Sequence, residues 1–554
     1  MRMPEFFENG CRHLPHAGGW RWAPRTACQP GSRRFLAMLC ASGLGLGLAL
    51  TGCGGGGGGT SSAGASATTP TTPTTPTTGF TLTSSVMSEG GAMPAEHSCD
   101  GHGGSPPLSW TGAPAQTQAY ALLMTTIPAD GSTKYNWLLF NLPASRSALP
   151  AANFAAGERG LGSDGPVPGY QPPCSQGGGA KVYTFTLHAL SAPVTLSGSA
   201  PPDGATLAAL VAPLTLGKAV LNVNYTRSAT PTGASTACLR VRSSAQSSGS
   251  ATAQVACDAQ YAYVSSEGLP LHTMMDGITA TNLQVPTAQG FLGSNAWRIP
   301  LEPRIADNPT NVTDGPIGVA VNGIPIFNPC KQGGCQNGDV KALGELDICN
   351  GHAGRADDYH YHAAPVCLMA GKTASYWDTH PIGWALDGFA IYGYNDADGK
   401  PAARDAVCGG NTNPVSNGPA GYKYHVTDAS PYVMSCLRGT PSPDLAGQSA
   451  KFSPMRQPPV QPFAVSGMSL RTDAATGQQV LRFSSSRAFT TNETGQDSYA
   501  NPPGSYQIRF KPLKGEALET ALALPANRNR NACWAFEFLT EGGTPTQPPI
   551  TYCR

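Results

Sequence analysis

Charge is scarce in this chain of 554 residues: Asp, Glu, Lys and Arg make up only 12%, as 35 basic and 34 acidic side chains. No basic run has the make-up of a nucleic-acid-binding arm, and a formal charge of +1 argues against a polyanionic partner. The balance is also uneven, because the first 52 residues hold six Arg and two Glu, leaving 29 basic against 32 acidic residues after them. The local patterns of several enzyme classes are missing: there is no G-x-S-x-G elbow, no H-E-x-x-H helix and no P-loop. Long apolar runs are lacking as well, since the one from Phe35 to Leu50 is short for a membrane span. Asn395-Asp396-Ala397-Asp398-Gly399 lacks the full ligand spacing of a calcium loop and reads as a turn.

Glycine and proline are abundant, at 67 and 50 residues, which favours short strands and many turns over long helices. The fold class expected is mainly β, and the length allows three or four domains. Strand-like runs occur at Ala119–Met124, Trp137–Asn141 and Val182–Ala189, and again at Gln479–Phe483 and Tyr506–Phe510. Asn322-Gly323 and Asp387-Gly388 each stand between apolar runs, a strong hairpin signal. The composition shifts set boundaries at 1–52 (export signal), 53–79 (tether), 80–242, 243–257 (linker), 258–440 and 441–554, the last a C-terminal extension or third domain.

Arg33 and Arg34 precede the apolar run, which ends in Leu50-Thr51-Gly52-Cys53. This resembles the lipobox of bacterial lipoproteins, which implies that Cys53 is acylated, becomes the mature N-terminus and attaches the chain to a membrane. Gly54 after it resembles lipoproteins that leave the inner membrane, so the expected location is the bacterial envelope with the outer membrane favoured. The Gly run and the repeat TTPTTPTTPTT at 68–78 cannot bury a core and form a tether at roughly 3 Å per residue. Twelve cysteines follow Cys53, an even number that in an exported chain reads as up to six disulfides of unknown pairing. Neither a cysteine nucleophile nor a Cys-ligated zinc is expected.

Cys99-Asp100-Gly101, Ser105-Pro106-Pro107-Leu108-Ser109-Trp110, Asn136-Trp137, Gly169-Tyr170-Gln171-Pro172-Pro173-Cys174 and Tyr183 to Leu190 follow one another. In that order they resemble the bacterial phosphatidylethanolamine-binding protein family over about 160 residues. The resemblance implies a β-sandwich with a small pocket for anionic groups. Asp100 is retained, but Thr125 to Asp130 replaces the family's Asp-Pro-Asp-Ala-Pro run, Asn136 replaces a histidine, and a second histidine is absent near Lys181. The expected ligand contacts are therefore Asp100, Asn136 and Lys181, with a scaffold or protein-contact role as the alternative.

Five of the eleven histidines fall between His352 and His425, with Tyr359-His360-Tyr361-His362 at the centre of the group. If that run is extended, His360 and His362 share one face and the tyrosines the other. Two imidazoles at i and i+2 can then share one metal ion. Gly315 to Gly323, Gly351-His352, the Tyr-His-Tyr-His run, Ile382 to Phe389, Tyr422 to His425 and Pro431-Tyr432 together resemble the YHYH domain family, near residues 258–440. That family implies no settled reaction. The metal candidates are His360, His362, His352 and His425, with His380 a further third-ligand candidate and Asp358, Asp378 and Asp387 as carboxylate candidates; the expected cofactor is a transition metal, zinc or copper. Tyr/His alternation also suits a packed strand, and Asp387 is explained by its turn alone. The leading expectation is an envelope binding module for a metal or polar small-molecule ligand, with no nucleic-acid partner. The alternatives are a metal-dependent hydrolase or redox enzyme, and a structural surface protein.

Overall fold

The first folded unit is built on strands whose side chains alternate between two apolar layers. In Lys181–Leu190, Tyr183, Phe185 and Leu187 are buried while Lys181, Thr184 and Thr186 are partly exposed, so one face of the strand packs inward. This strand lies between Ala119–Thr126 and Thr215–Tyr225 in a five-stranded antiparallel sheet that continues through Lys134–Pro143 to Glu158–Arg159. A three-stranded sheet of Thr81–Thr83, Leu108–Thr111 and Ala148–Leu149 completes the sandwich. Leu82, Trp110, Trp137 and Phe185 fill the space between the sheets. The helix Gly204–Val211, capped by Asp203, covers the outer face through Leu207 and Val211.

The protein is seen here as a computed structural model that describes residues 79–165, 167–175, 179–227, 232–247, 252–413, 421–456, 462–492 and 498–554. The export signal, Cys53 and nearly all of the tether lie outside the described residues. None of the described helices is long and apolar enough to cross a membrane.

Both Gly-containing turns fold as hairpins. Gly323 (φ +78°) turns Pro316–Ala320 back onto Pro325–Phe327, and Gly388 (φ +88°) turns Gly383–Ala385 onto Ala390–Tyr392. Positive φ is open to glycine at no Cβ cost. The two hairpins adjoin through Val319 and Trp384, at the middle of an eight-stranded sheet. Gly351–Ala353 and Tyr359–Tyr361 lie at one end, Lys423–His425 and Gly410–Asn411 at the other.

A further five-stranded antiparallel sheet, Ser466–Thr472 to Ile550–Cys553, shares its apolar core with the histidine-bearing sheet. Tyr359, Tyr361, Trp297, Phe510 and Phe536 all belong to this one buried cluster. The first unit docks on later elements through Cys257 N–H donating to the Cys99 carbonyl at 3.0 Å and through ion pairs from Arg159 to Glu267 and Arg146 to Glu519. Six disulfides pair all twelve cysteines that follow Cys53: 99–174, 238–257, 330–335, 349–367, 408–436 and 533–553.

Candidate metal centre

Three imidazoles converge because of how two strands pair. Gly351–Ala353 runs antiparallel to Tyr359–Tyr361 with His352 directly opposite His360, and His362 follows two residues after His360 on the same side. Nε2 of His360 lies 3.0 Å from Nε2 of His362, and Nε2 of His352 lies 3.1 Å from the same atom. The rings are deeply covered, with His360 and His362 each 3% exposed. The tyrosines point the other way: Tyr359 donates to Asp347 at 2.8 Å, and Tyr361 accepts from Asn322 at 3.0 Å.

The outer nitrogens are tied down. His360 Nδ1 faces the Asp358 carboxylate at 2.9 Å and the Asp358 carbonyl at 3.1 Å. His362 Nδ1 donates to the Asn328 carbonyl, and the His352 ring donates to the Glu345 carbonyl. A carbonyl oxygen only accepts, so the proton of the neutral His362 ring sits on Nδ1 and its Nε2 offers a lone pair to the centre. Phe327 stacks on His360 at 3.8 Å between ring centroids, fixing that ring from the side. Gly354 gives the site room, since a Cβ there would come within 2.6 Å of the His360 ring.

Protonation is disfavoured here. Burial, and then the charges of neighbouring histidines, push His352 and His362 well below the usual imidazole range. Three ring nitrogens aimed at one another can share a cation, and His352 and His362 resist taking it up as a proton. A tetrahedral zinc with bonds of roughly 2.0–2.1 Å would set its donors about 3.3 Å apart, close to the spacing found. This buried triad could hold a metal ion.

The other expected residues lie elsewhere. His425, fully buried, donates from Nδ1 to the Gly393 carbonyl (2.9 Å) and turns Nε2 toward Asp396 at 3.3 Å, outside the triad. His380 stacks on Tyr376. Asp358 stands behind His360 on Nδ1, on the side away from the Nε2 cluster. Asp387 is spent on Tyr424, Phe389 N–H and Gly439 N–H, and Asp378 on Asn395. In the first unit, Asp100 accepts from Tyr225 and from Arg227 at 3.3 Å. Asn136 is buried with its amide donating to the Gln171 carbonyl at 3.2 Å, and Lys181 pairs in register with Tyr225. A cavity of about 550 Å³ opens between the first unit and the segment after it, lined by Lys134, Asp164, Gln171, Arg242, Gln254 and Ser265; Asp100, Asn136 and Lys181 do not line it.

Sequence reasoning missed the Asn328 and Glu345 carbonyls and the Phe327 ring. The approach of Phe327 and Asn328 depends on the parallel pairing of Ile326 with Tyr361, which no local pattern announces.

Fold and site together define an exported two-part protein, a sandwich carrying a disulfide-rich β domain with a histidine centre. Residues 83–226 match the phosphatidylethanolamine-binding protein model and residues 296–409 the YHYH protein model. Among the relatives of the first part, a UPF0098 protein of Methanothermobacter thermautotrophicus is 32% identical over 124 residues, 22% of this chain and 82% of the relative. A UPF0098 protein of Chlamydia muridarum is 32% identical over 114 residues, 20% of this chain and 75% of the relative. The "Putative lipoprotein LppC" of Mycobacterium tuberculosis is 31% identical over 141 residues, 25% of this chain and 66% of the relative. The chain belongs to the phosphatidylethanolamine-binding protein family through its first unit, and it carries a YHYH domain after it. Its many disulfides mark it as extracytoplasmic.

Proposed function

We propose that this protein is a lipid-anchored envelope binding module whose YHYH domain holds a transition metal, zinc or copper, at His352, His360 and His362. The observation that carries the reading is the meeting of three Nε2 atoms whose rings are fixed from behind by Asp358, Asn328 and Glu345. An all-imidazole donor set suits both metals. Elemental analysis of the oxidised protein tests it, with about one equivalent expected; a protein that takes up no metal on reconstitution overturns it.

Three protein ligands leave a fourth position on a tetrahedral metal, and His352 is the least covered of the three. This favours, as a second reading, a metal-dependent hydrolase or redox enzyme. For the first unit a scaffold role is supported by Asp100, whose carboxylate is already engaged with Tyr225 and Arg227. Ligand contact by Asn136 and Lys181 would have to proceed without it. Acylation at Cys53 and sorting to the outer membrane rest on the lipobox, on Gly54 and on the lipoprotein relative. Cys53→Ala is expected to move the protein from the membrane fraction to the soluble one; unchanged fractionation overturns the anchor.

A further inference from the structure

The tyrosine face of the same strand carries another donor set. Cys349 Sγ, Cys367 Sγ and a ring nitrogen of His272 lie within 4.8 Å of one another. The sulfurs are joined as a disulfide, so in this state they are not metal ligands. His272 is held beside them by two contacts, to the Thr273 carbonyl at 2.8 Å and to the Tyr361 hydroxyl at 2.7 Å. Cys349 is anchored independently of the disulfide, its N–H donating to Asp347 at 2.9 Å and its sulfur lying 3.4 Å from the Thr273 carbonyl. Cys367 is the more open partner, only partly covered where Cys349 is buried.

We propose that a dithiol reductant converts this corner into a second metal site, with two thiolates and His272 as donors to a thiophilic ion such as Zn²⁺ or Cu⁺. A thiolate of the reductant attacks Cys367 Sγ, the S–S bond breaks and Cys349 departs as a thiolate. The reductant's second thiol then displaces Cys367 from the mixed disulfide. The reductant ends as a disulfide, and the pair has gained two electrons and two protons. Metal binding releases those protons and places a cation between two thiolates, which lowers the cost of leaving them charged in a covered site. The expectation that no cysteine ligates a metal therefore applies to the oxidised pair only. The Asp347 and Thr273 contacts hold Cys349, and the Thr273 contact through Nδ1 holds His272, whose Nε2 would exchange the Tyr361 hydroxyl for the metal once the bond is cut. This site and the triad lie on opposite faces of Tyr359–His362 and load separately.

The test is a cobalt titration of the full chain before and after anaerobic exposure to a dithiol. Reduction is expected to add one equivalent of Co²⁺ with a thiolate-to-cobalt charge-transfer absorption, abolished in Cys367→Ser and weakened at least tenfold in affinity in His272→Ala. His272→Ala keeps both cysteines, so it reports even if Cys367→Ser folds poorly. His360→Ala is expected to keep the charge-transfer absorption while losing the oxidised-state equivalent, which separates a failure of the triad from a failure here. Absence of an extra equivalent on reduction, or its persistence in Cys367→Ser with the other cysteines intact, overturns the proposal.

Discussion

His360 and His362 aim Nε2 atoms at each other across 3.0 Å while each Nδ1 is held by an oxygen behind the ring. Two neutral imidazoles in that arrangement present acceptor to acceptor, and His352 adds a third at 3.1 Å. A packed strand would have little reason to gather them so. The arrangement is stable when a cation sits among the three nitrogens, and its outer contacts are those that orient metal-bound histidine.

Removal of any one imidazole should empty the centre. His360→Ala, His362→Ala and His352→Ala are each expected to reduce bound transition metal from about one equivalent to a small fraction, measured by elemental analysis. His425→Ala should leave the content unchanged, because its ring is turned to Gly393 and Asp396.

Asp358 positions rather than ligates. Asp358→Ala removes the carboxylate that holds His360 Nδ1 and should weaken metal affinity by about 10–100-fold with the fold retained. Asp358→Asn keeps an oxygen that can accept from the ring, so its loss should be smaller. Competition against a chromophoric chelator would measure both; equal affinity in Asp358→Ala and wild type would remove Asp358 from the site.

Much of this was legible in the sequence. The hairpins at Asn322-Gly323 and Asp387-Gly388 follow from local turn chemistry, and the shared face of His360 and His362 from strand alternation. His352 was one of several third-ligand candidates because its place opposite His360 depends on a register set by the Gly354–Asp358 turn. His425 looked equivalent in sequence, yet it pairs with the far end of the sheet through Tyr392. The support from Asn328 needed a parallel contact between Ile326 and Tyr361, and long-range pairing leaves no periodic mark in either strand.

The loop bearing Asp358 is braced by Arg456, from the segment ahead of the C-terminal sheet. Asp357 is fully buried and accepts from Arg456 Nε at 3.0 Å and Nη2 at 2.8 Å. Burial pushes its carboxyl up, and Arg456 opposes that shift. Arg456→Met leaves the carboxylate without its charge partner, a loss of about 3–5 kcal/mol for a buried pair. A clear fall in the thermal midpoint is expected, with metal affinity lowered as well; a midpoint within one degree or so of wild type would show that the pair carries little.

His188 should give the first unit an acid sensitivity separate from the metal centre. The Thr215 hydroxyl donates to the Val211 carbonyl at 2.9 Å and so accepts from His188 Nδ1 at 3.0 Å, which places the proton of the neutral ring on Nδ1. Burial, and then the charge of Lys218, lower its pKa to about 4. An unfolded chain takes up this proton near pH 6.5, whereas the folded one does so only near 4. Stability from this residue is therefore complete above pH 6.5 and falls as pH drops toward 4, by up to about 3 kcal/mol. In His188→Gln no such proton is taken up, so its thermal midpoint should fall less than that of wild type between pH 7 and pH 4. Parallel pH profiles for the two proteins would assign the acid loss to other groups.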